Sequence, residues 1–136
     1  EAKLITTARQ VNDFKPSWVI DRVKIAILDF LKTNQEKSIT DVVVAFFGLA
    51  FKPDIDDLRE SPSMYIARSI ANFHVGKVLA VEPNISELPN LEPFELVSQN
   101  KANDTADIAV LLVDHAEFKN LGAPDVKILI DTKGIW

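Results

Sequence analysis

The spacing of apolar positions changes character near residue 40. From Ile5 to Leu31, the residues Ala8, Val11, Trp18, Val19, Val23, Ile27 and Leu31 recur at intervals near three and four. That is the period of a helix with one buried face. Pro16 interrupts the run, which predicts two helices or a kink just before Trp18. Asn34–Thr40 is polar and predicts a loop. Beyond it, short apolar runs alternate with amphipathic ones. Val42–Phe47, Lys77–Val81, Glu95–Val97, Ile108–Val113 and Lys127–Ile130 are predicted strands; Ser63–Phe73 and Asn100–Ala106 are predicted helices, and Glu117–Leu121 a short helix or turn. Val42–Phe47 and Ile108–Val113 are continuously apolar, as strands covered on both faces must be. Ser61 and Pro62 suit the N-cap and first position of the helix that follows them.

Strands that alternate with helices predict an α/β fold with a parallel sheet and right-handed crossovers. The expected architecture is a Rossmann-like three-layer sandwich. Its five parallel strands run in the order 3-2-1-4-5, and an N-terminal helical arm precedes them. The arm is assigned to residues 1–36 and the α/β unit to residues 37–136. In such a sheet, ligands bind beyond the carboxyl ends of the strands where the order reverses. The loops that open at Gly48, Asp114 and Asp131 therefore deserve the chemistry.

The first of these loops reads Gly48-Leu-Ala-Phe-Lys-Pro-Asp-Ile-Asp-Asp-Leu-Arg-Glu-Ser-Pro-Ser63. A glycine at a strand end, Lys52, Arg59 and a helix start with free N–H groups together make a candidate anion site. The competing reading is a surface loop with ion pairs among Lys52, Asp56, Asp57 and Arg59. Lys133 follows the last strand and lies on the same rim. Glu82 ends the second strand, where a dinucleotide-binding domain keeps its ribose acid, but the G-x-G-x-x-G turn is absent. Glu82 is thus read as a solvated strand-end acid. His115 is read as a turn or cap residue without triad partners, and His74 as a partner of a helix C-terminus. Trp18 is read as a packing residue. Trp136 either packs back on the sheet or marks a cut.

Composition narrows the field. With 15 basic and 20 acidic residues among 136, the net charge is −5, which disfavours a nucleic-acid surface or an anionic membrane. There are no cysteines, so no disulfide, thiolate metal site or thiol nucleophile lies within this sequence. No His/Asp/Glu cluster has metal-site spacing, and no metal is expected. No apolar run is long enough for a membrane span, and no signal-peptide pattern opens the chain, so the expected location is the cytoplasm. The first residue, Glu1, suggests a piece of a longer protein.

The stretch from Gly48 to Ser63 resembles the signature of the UDP-glucose/GDP-mannose dehydrogenase family, in its C-terminal domain. The resemblance continues through Val81-Glu-Pro-Asn84, Leu112-Val-Asp-His-Ala-Glu-Phe-Lys119 and Ile130-Asp-Thr-Lys-Gly-Ile-Trp136. Ala8–Pro16 is similar to the start of the long helix that joins the family's two domains. Members oxidise the C6 hydroxyl of a nucleotide sugar with NAD, through a cysteine that precedes that helix, in the making of cell-surface polysaccharide precursors. The resemblance implies a domain that binds a UDP-sugar and contains no catalytic residue of its own. Phe51, Lys52 and Lys133 match substrate-contacting positions, and Arg59 matches a position that reaches NAD held mainly by the other domain. Some relatives carry arginine at or beside the Lys133 position. A homodimer built through the arm is also implied.

The Ile55-Asp-Asp-Leu-Arg59 variant and the Lys133-Gly-Ile-Trp136 ending are most similar to the branch acting on UDP-N-acetylmannosamine. Branches acting on UDP-N-acetylglucosamine or UDP-glucose stay open. A receiver-like signalling module is a remote alternative. It would need acids at the end of the first strand, where Gly48-Leu49-Ala50 stands.

Overall fold

A computed structural model describes residues 4–7, 15–59 and 61–136. Its centre is a parallel sheet of strands β1 (Leu4–Thr7), β2 (Val44–Phe47), β3 (Val78–Val81), β4 (Glu95–Leu96), β5 (Ile108–Leu111) and β6 (Ile128–Asp131), in the order β1-β6-β5-β2-β3-β4. Setting β1 aside, this is the expected 3-2-1-4-5 arrangement. The helices are α1 (Pro16–Thr33), α2 (Pro62–Phe73), α3 (Gln99–Thr105) and α4 (Ala116–Leu121).

Alternation along each strand divides the core between the two faces. Val44, Phe46, Val78, Ala80, Ile108, Val110, Ile128 and Ile130 join the cluster that includes α1 and α2. Ala45, Phe47, Leu79, Val81, Ala109, Leu111 and Leu129 join Ala102 of α3, Phe118 of α4 and Trp136. Phe46 and Phe47 are wholly buried on opposite faces, and each such side chain contributes about 2–3 kcal/mol. Two covered faces explain why β2, β3 and β5 lack polar positions, and the result is the three-layer sandwich.

The N-terminal region departs from its helical reading. Leu4–Thr7 forms an edge strand, with Leu4 beside Ile128 and Thr7 beside Asp131. Ile5, Thr6 and Thr7 are β-branched and suit a strand, while β6 otherwise offers an unpaired edge. The expected apolar positions Ala8 and Val11 lie outside the described residues. Pro16 does not kink a helix; it opens α1 as its first residue, where its missing N–H costs nothing. Val19, Val23, Ala26, Ile27 and Phe30 form the buried stripe of α1. Trp18 is 38% exposed, with the Arg22 guanidinium 5.9 Å from its ring centroid, so it is not a core residue.

The long connection from β3 to β4 is tied back to α2. Arg68 grips Glu92 through Nε–Oε1 at 2.7 Å and Nη2–Oε2 at 2.8 Å. The guanidinium holds the Glu92 carboxyl below the usual range, outweighing partial burial. Half of Arg68 is solvated while Glu92 is nearly covered. Arg68→Ala should therefore cost only about 1 kcal/mol in urea denaturation. A loss within error of zero would show the fork to be ornamental.

Candidate functional site

The loop after β2 forms a strap across the carboxyl ends of the central strands. It begins at Gly48, whose φ of +101° turns the chain sharply out of the sheet. The Gly48 N–H donates to Val81 O at 2.8 Å, and Leu112 N donates to Phe47 O at 2.9 Å. The strap ends at Ser61, the predicted N-cap of α2. Ser61 Oγ accepts from Ser63 N at 3.1 Å and Met64 N at 3.4 Å while donating to Leu49 O at 2.7 Å. Those two helix-start N–H groups are thus already taken, and Ser61 and Ser63 are buried. The helix start is not the open anion cradle that the sequence suggested.

Between these ends, Phe51, Lys52, Pro53, Asp54 and Ile55 are exposed. Phe51 N donates to Asp57 O at 2.8 Å, which closes the outer turn. Lys52 Nζ stands 5.9 Å from the Phe51 ring centroid. One ammonium beside one half-exposed aromatic face offers a charge and a stacking platform together, a pairing suited to an anionic ligand with a flat base. Arg59 lies on the returning arm and is paired with Asp57 by Nε–Oδ1 at 3.1 Å and Nη2–Oδ2 at 3.2 Å. That pairing lowers the Asp57 carboxyl from its ordinary value, through the Arg59 side chain first and its backbone N–H second. The Arg59 side chain remains 89% exposed. Of the ion pairs that the surface-loop reading proposed, Asp57 with Arg59 is formed.

Lys133 sits on the turn after β6, two strand positions from β2, or about 10 Å at the usual strand spacing. Its turn is held by the buried Asp131 carboxylate. Oδ1 accepts from Lys133 N at 2.9 Å and Gly134 N at 2.7 Å, and Oδ2 accepts from Trp136 N at 2.8 Å. Trp136 packs back on the sheet, edge-on to Phe47, and its Nε1–H donates to Phe118 O at 3.1 Å. Lys133 therefore shares the rim with Phe51 and Lys52, on a separate and independently braced turn.

The main correction concerns Glu82, while His115 stands at the N-cap of α4, as its turn-or-cap reading expected. Glu82 is 3% exposed, not solvated, and His115 is fully buried. Glu82 Oε1 accepts from Leu49 N at 2.8 Å, Ala50 N at 3.0 Å and His115 Nε2 at 2.9 Å. Glu82 Oε2 accepts from Asn84 N at 3.0 Å and Asn84 Nδ2 at 3.2 Å. Burial alone would raise this carboxyl. The His115 ring and the N–H groups of Leu49 and Asn84 outweigh burial and hold it below its ordinary value. His115 Nδ1 faces the Asp54 N–H at 2.7 Å, so it is the acceptor and Nε2 carries the proton. Asp54 has φ +62° and its Oδ1 accepts from Ala116 N at 2.8 Å, which seats the outer turn on the start of α4. With its oxygens so engaged, Glu82 has no place for a ribose. The missed signal was topological. Glu82 directly follows β3 and His115 lies in the turn from β5 to α4, and these two strands flank β2, so the pair lies on either side of its loop.

His74 stands at the helix C-terminus as its reading expected, with a further bond across to the sheet. It is the C-cap of α2, and its buried Nε2 bonds Val42 O at 2.7 Å, at the entry of β2.

Comparison with known proteins identifies the family. Residues 45–136 match the model of the UDP-glucose/GDP-mannose dehydrogenase family, UDP binding domain. The UDP-N-acetyl-D-mannosamine dehydrogenase of Yersinia pestis is 51% identical over 99% of this chain and 33% of its own length. An NDP-N-acetyl-D-galactosaminuronic acid dehydrogenase of Ralstonia solanacearum is 47% identical over 99% of this chain and 30% of its own. Among solved structures, the UDP-N-acetyl-mannosamine dehydrogenase of S. aureus superposes with a TM-score of 0.61 at 30% identity, over 88% of this chain and 27% of that one. The chain thus spans about a third of the length of the curated relatives it matches. It belongs to the UDP-glucose/GDP-mannose dehydrogenase family, of which it is the UDP binding domain.

Proposed function

We propose that the chain is the C-terminal, nucleotide-sugar-binding part of an NAD-dependent 6-dehydrogenase whose substrate is a UDP-N-acetylhexosamine, with UDP-N-acetylmannosamine first. The observation that carries this reading is the 51% identity to a UDP-N-acetyl-D-mannosamine dehydrogenase along almost the whole chain, strap included. Phe51 packs against the nucleotide or sugar, Lys52 neutralises a phosphate, and Lys133 supports the anion from the neighbouring turn. No residue here performs the oxidation. When bound to the whole enzyme, NAD supplies the hydride acceptor. The exposed Arg59 guanidinium fits a single contact to that cofactor's phosphates, and Gly48 alone does not make a dinucleotide cradle. The segment through α1 contributes to a homodimer, a role supported by the exposed Trp18, Ile25 and Leu28 on that helix. The enzyme works in the cytoplasm, where nucleotide sugars and NAD are made, and feeds polysaccharide assembly.

Steady-state kinetics of the whole enzyme test the reading. Lys52→Ala should raise KM for UDP-N-acetylmannosamine by about tenfold to hundredfold, the value of a charge-assisted hydrogen bond. UDP-N-acetylglucosamine, UDP-N-acetylgalactosamine and UDP-glucose serve as competing substrates. Unchanged KM would remove Lys52 from the site, and preferred turnover of another sugar would reassign the substrate.

A further inference from the structure

Binding residues on an exposed loop work only if the loop is held in one conformation, and here the hold is traceable atom by atom. We propose that His115 and Glu82 are a positioning pair for the nucleotide-sugar site. They do not touch the ligand, and they set the posture of Phe51 and Lys52 from beneath. The proposal rests on the nucleotide-sugar reading above.

The two ends of the exposed segment are fixed by the same pair. On the inner side, Glu82 Oε1 takes the N–H groups of Leu49 and Ala50. On the outer side, His115 Nδ1 takes the N–H of Asp54. His115 Nε2 and Glu82 Oε1 then join the two anchors at 2.9 Å. Phe51, Lys52 and Pro53 are the residues spanning the gap, and they are exposed. The anchors come from the residue after β3 and from the turn between β5 and α4, and β3 and β5 are the strands flanking β2. Asn84 completes the assembly: it donates to Glu82 Oε2, and its Nδ2 lies 3.3 Å from His115 Nδ1.

This arrangement has a functional logic. A free strap would lose conformational entropy each time it gathered around a ligand. A strap already pinned has that loss met during folding, so more of the contact energy appears as affinity. The pin must also be polar, because Leu49, Ala50 and Asp54 present N–H groups that packing alone cannot satisfy. His115 suits the task because one neutral ring donates on one side and accepts on the other. Its ring also lies 5.5 Å from that of Phe118, which raises the alternative that it serves only as core filling.

Two substitutions in the whole enzyme separate those roles. His115→Phe keeps a buried aromatic ring, somewhat larger than imidazole, and removes the hydrogen bonds to the Asp54 N–H and Glu82 Oε1 along with the Asn84 contact. His115→Asn gives up volume but keeps an acceptor near the Nδ1 position. A positioning role predicts that His115→Phe raises KM for UDP-N-acetylmannosamine at least about tenfold, as expected for losing two hydrogen bonds. The chemistry lies elsewhere, so kcat should stay within about threefold. His115→Asn should recover most of the lost affinity. Hydrogen exchange, read on a peptide covering residues 48–55, should accelerate in His115→Phe and not in the strands.

A filling role predicts the reverse order, with His115→Phe near wild type and His115→Asn impaired; that result overturns the proposal and leaves the nucleotide-sugar reading intact. If the wild-type enzyme neither binds nor turns over any UDP-sugar, the nucleotide-sugar reading fails, and the pair's role fails with it.

Discussion

Gly48→Ala should lower stability by about 3 kcal/mol or more, the sum of backbone strain and overpacking. Two independent penalties meet at this residue. Its φ of +101° is a conformation that side chains with a Cβ rarely adopt. A Cβ there would also stand 2.6 Å from Val113 Cβ and 2.9 Å from Val113 N. Val113 is 4% exposed and its N–H donates to Phe47 O, so it has nowhere to retreat. For a chain of this length, 3 kcal/mol corresponds to a Tm drop of about 10 °C. Calorimetry or thermal circular dichroism reads it directly. A fall below about 2 °C would mean that the strand end can yield, contrary to its packing.

The second large effect is expected at Glu82. Glu82→Leu keeps the bulk and strands the buried N–H groups of Leu49 and Ala50, together with the His115 Nε2 proton. Each orphaned donor costs about 1–3 kcal/mol, partly offset by the added apolar contact, so a loss of about 3–5 kcal/mol is expected. The pH dependence identifies the cause. The folded-state pKa of Glu82 lies below its ordinary value of 4.5. Its carboxylate therefore contributes stability that is fully present above that value, and that stability is lost as pH falls through the lower folded-state pKa. The gap between wild type and Glu82→Leu should be constant from neutral pH down to about 5 and narrow below 4.5. A gap independent of pH across the acid range would assign the loss to shape and not to charge.

Parts of this arrangement were legible in the sequence because they depend on neighbours along the chain. Ser61 and Pro62 announce the start of α2 by local chemistry. Val44–Phe47 and Ile108–Leu111 announce a doubly covered sheet by having no polar face. The place of Phe51 and Lys52 follows from topology, since the loop after the first central strand must lie at the switch point. Other parts depend on partners far along the chain, and these were misread. Whether Glu82 is solvated or buried turns on a histidine 33 residues away. Ile5 fits a helical phase as well as a strand, and only the open edge of β6 decides between them. Trp18 shares the helix period yet falls on the solvent side, because the buried stripe runs through Val19 and Val23.

The Glu82–His115 pair also bears on the order of folding. Val44 of β2 aligns with Val78 on one side and Ile108 on the other, so closing the sheet means closing two long loops. Glu82 directly follows one flanking strand and His115 lies in the turn after the other, so the two meet only when both loops have closed. Contacts that form after the rate-limiting step slow escape from the native state without speeding arrival. If the pair that fixes the strap joins after that step, weakening it shortens the lifetime of the folded domain and leaves the folding rate unchanged, which stopped-flow unfolding and refolding of His115→Phe measure.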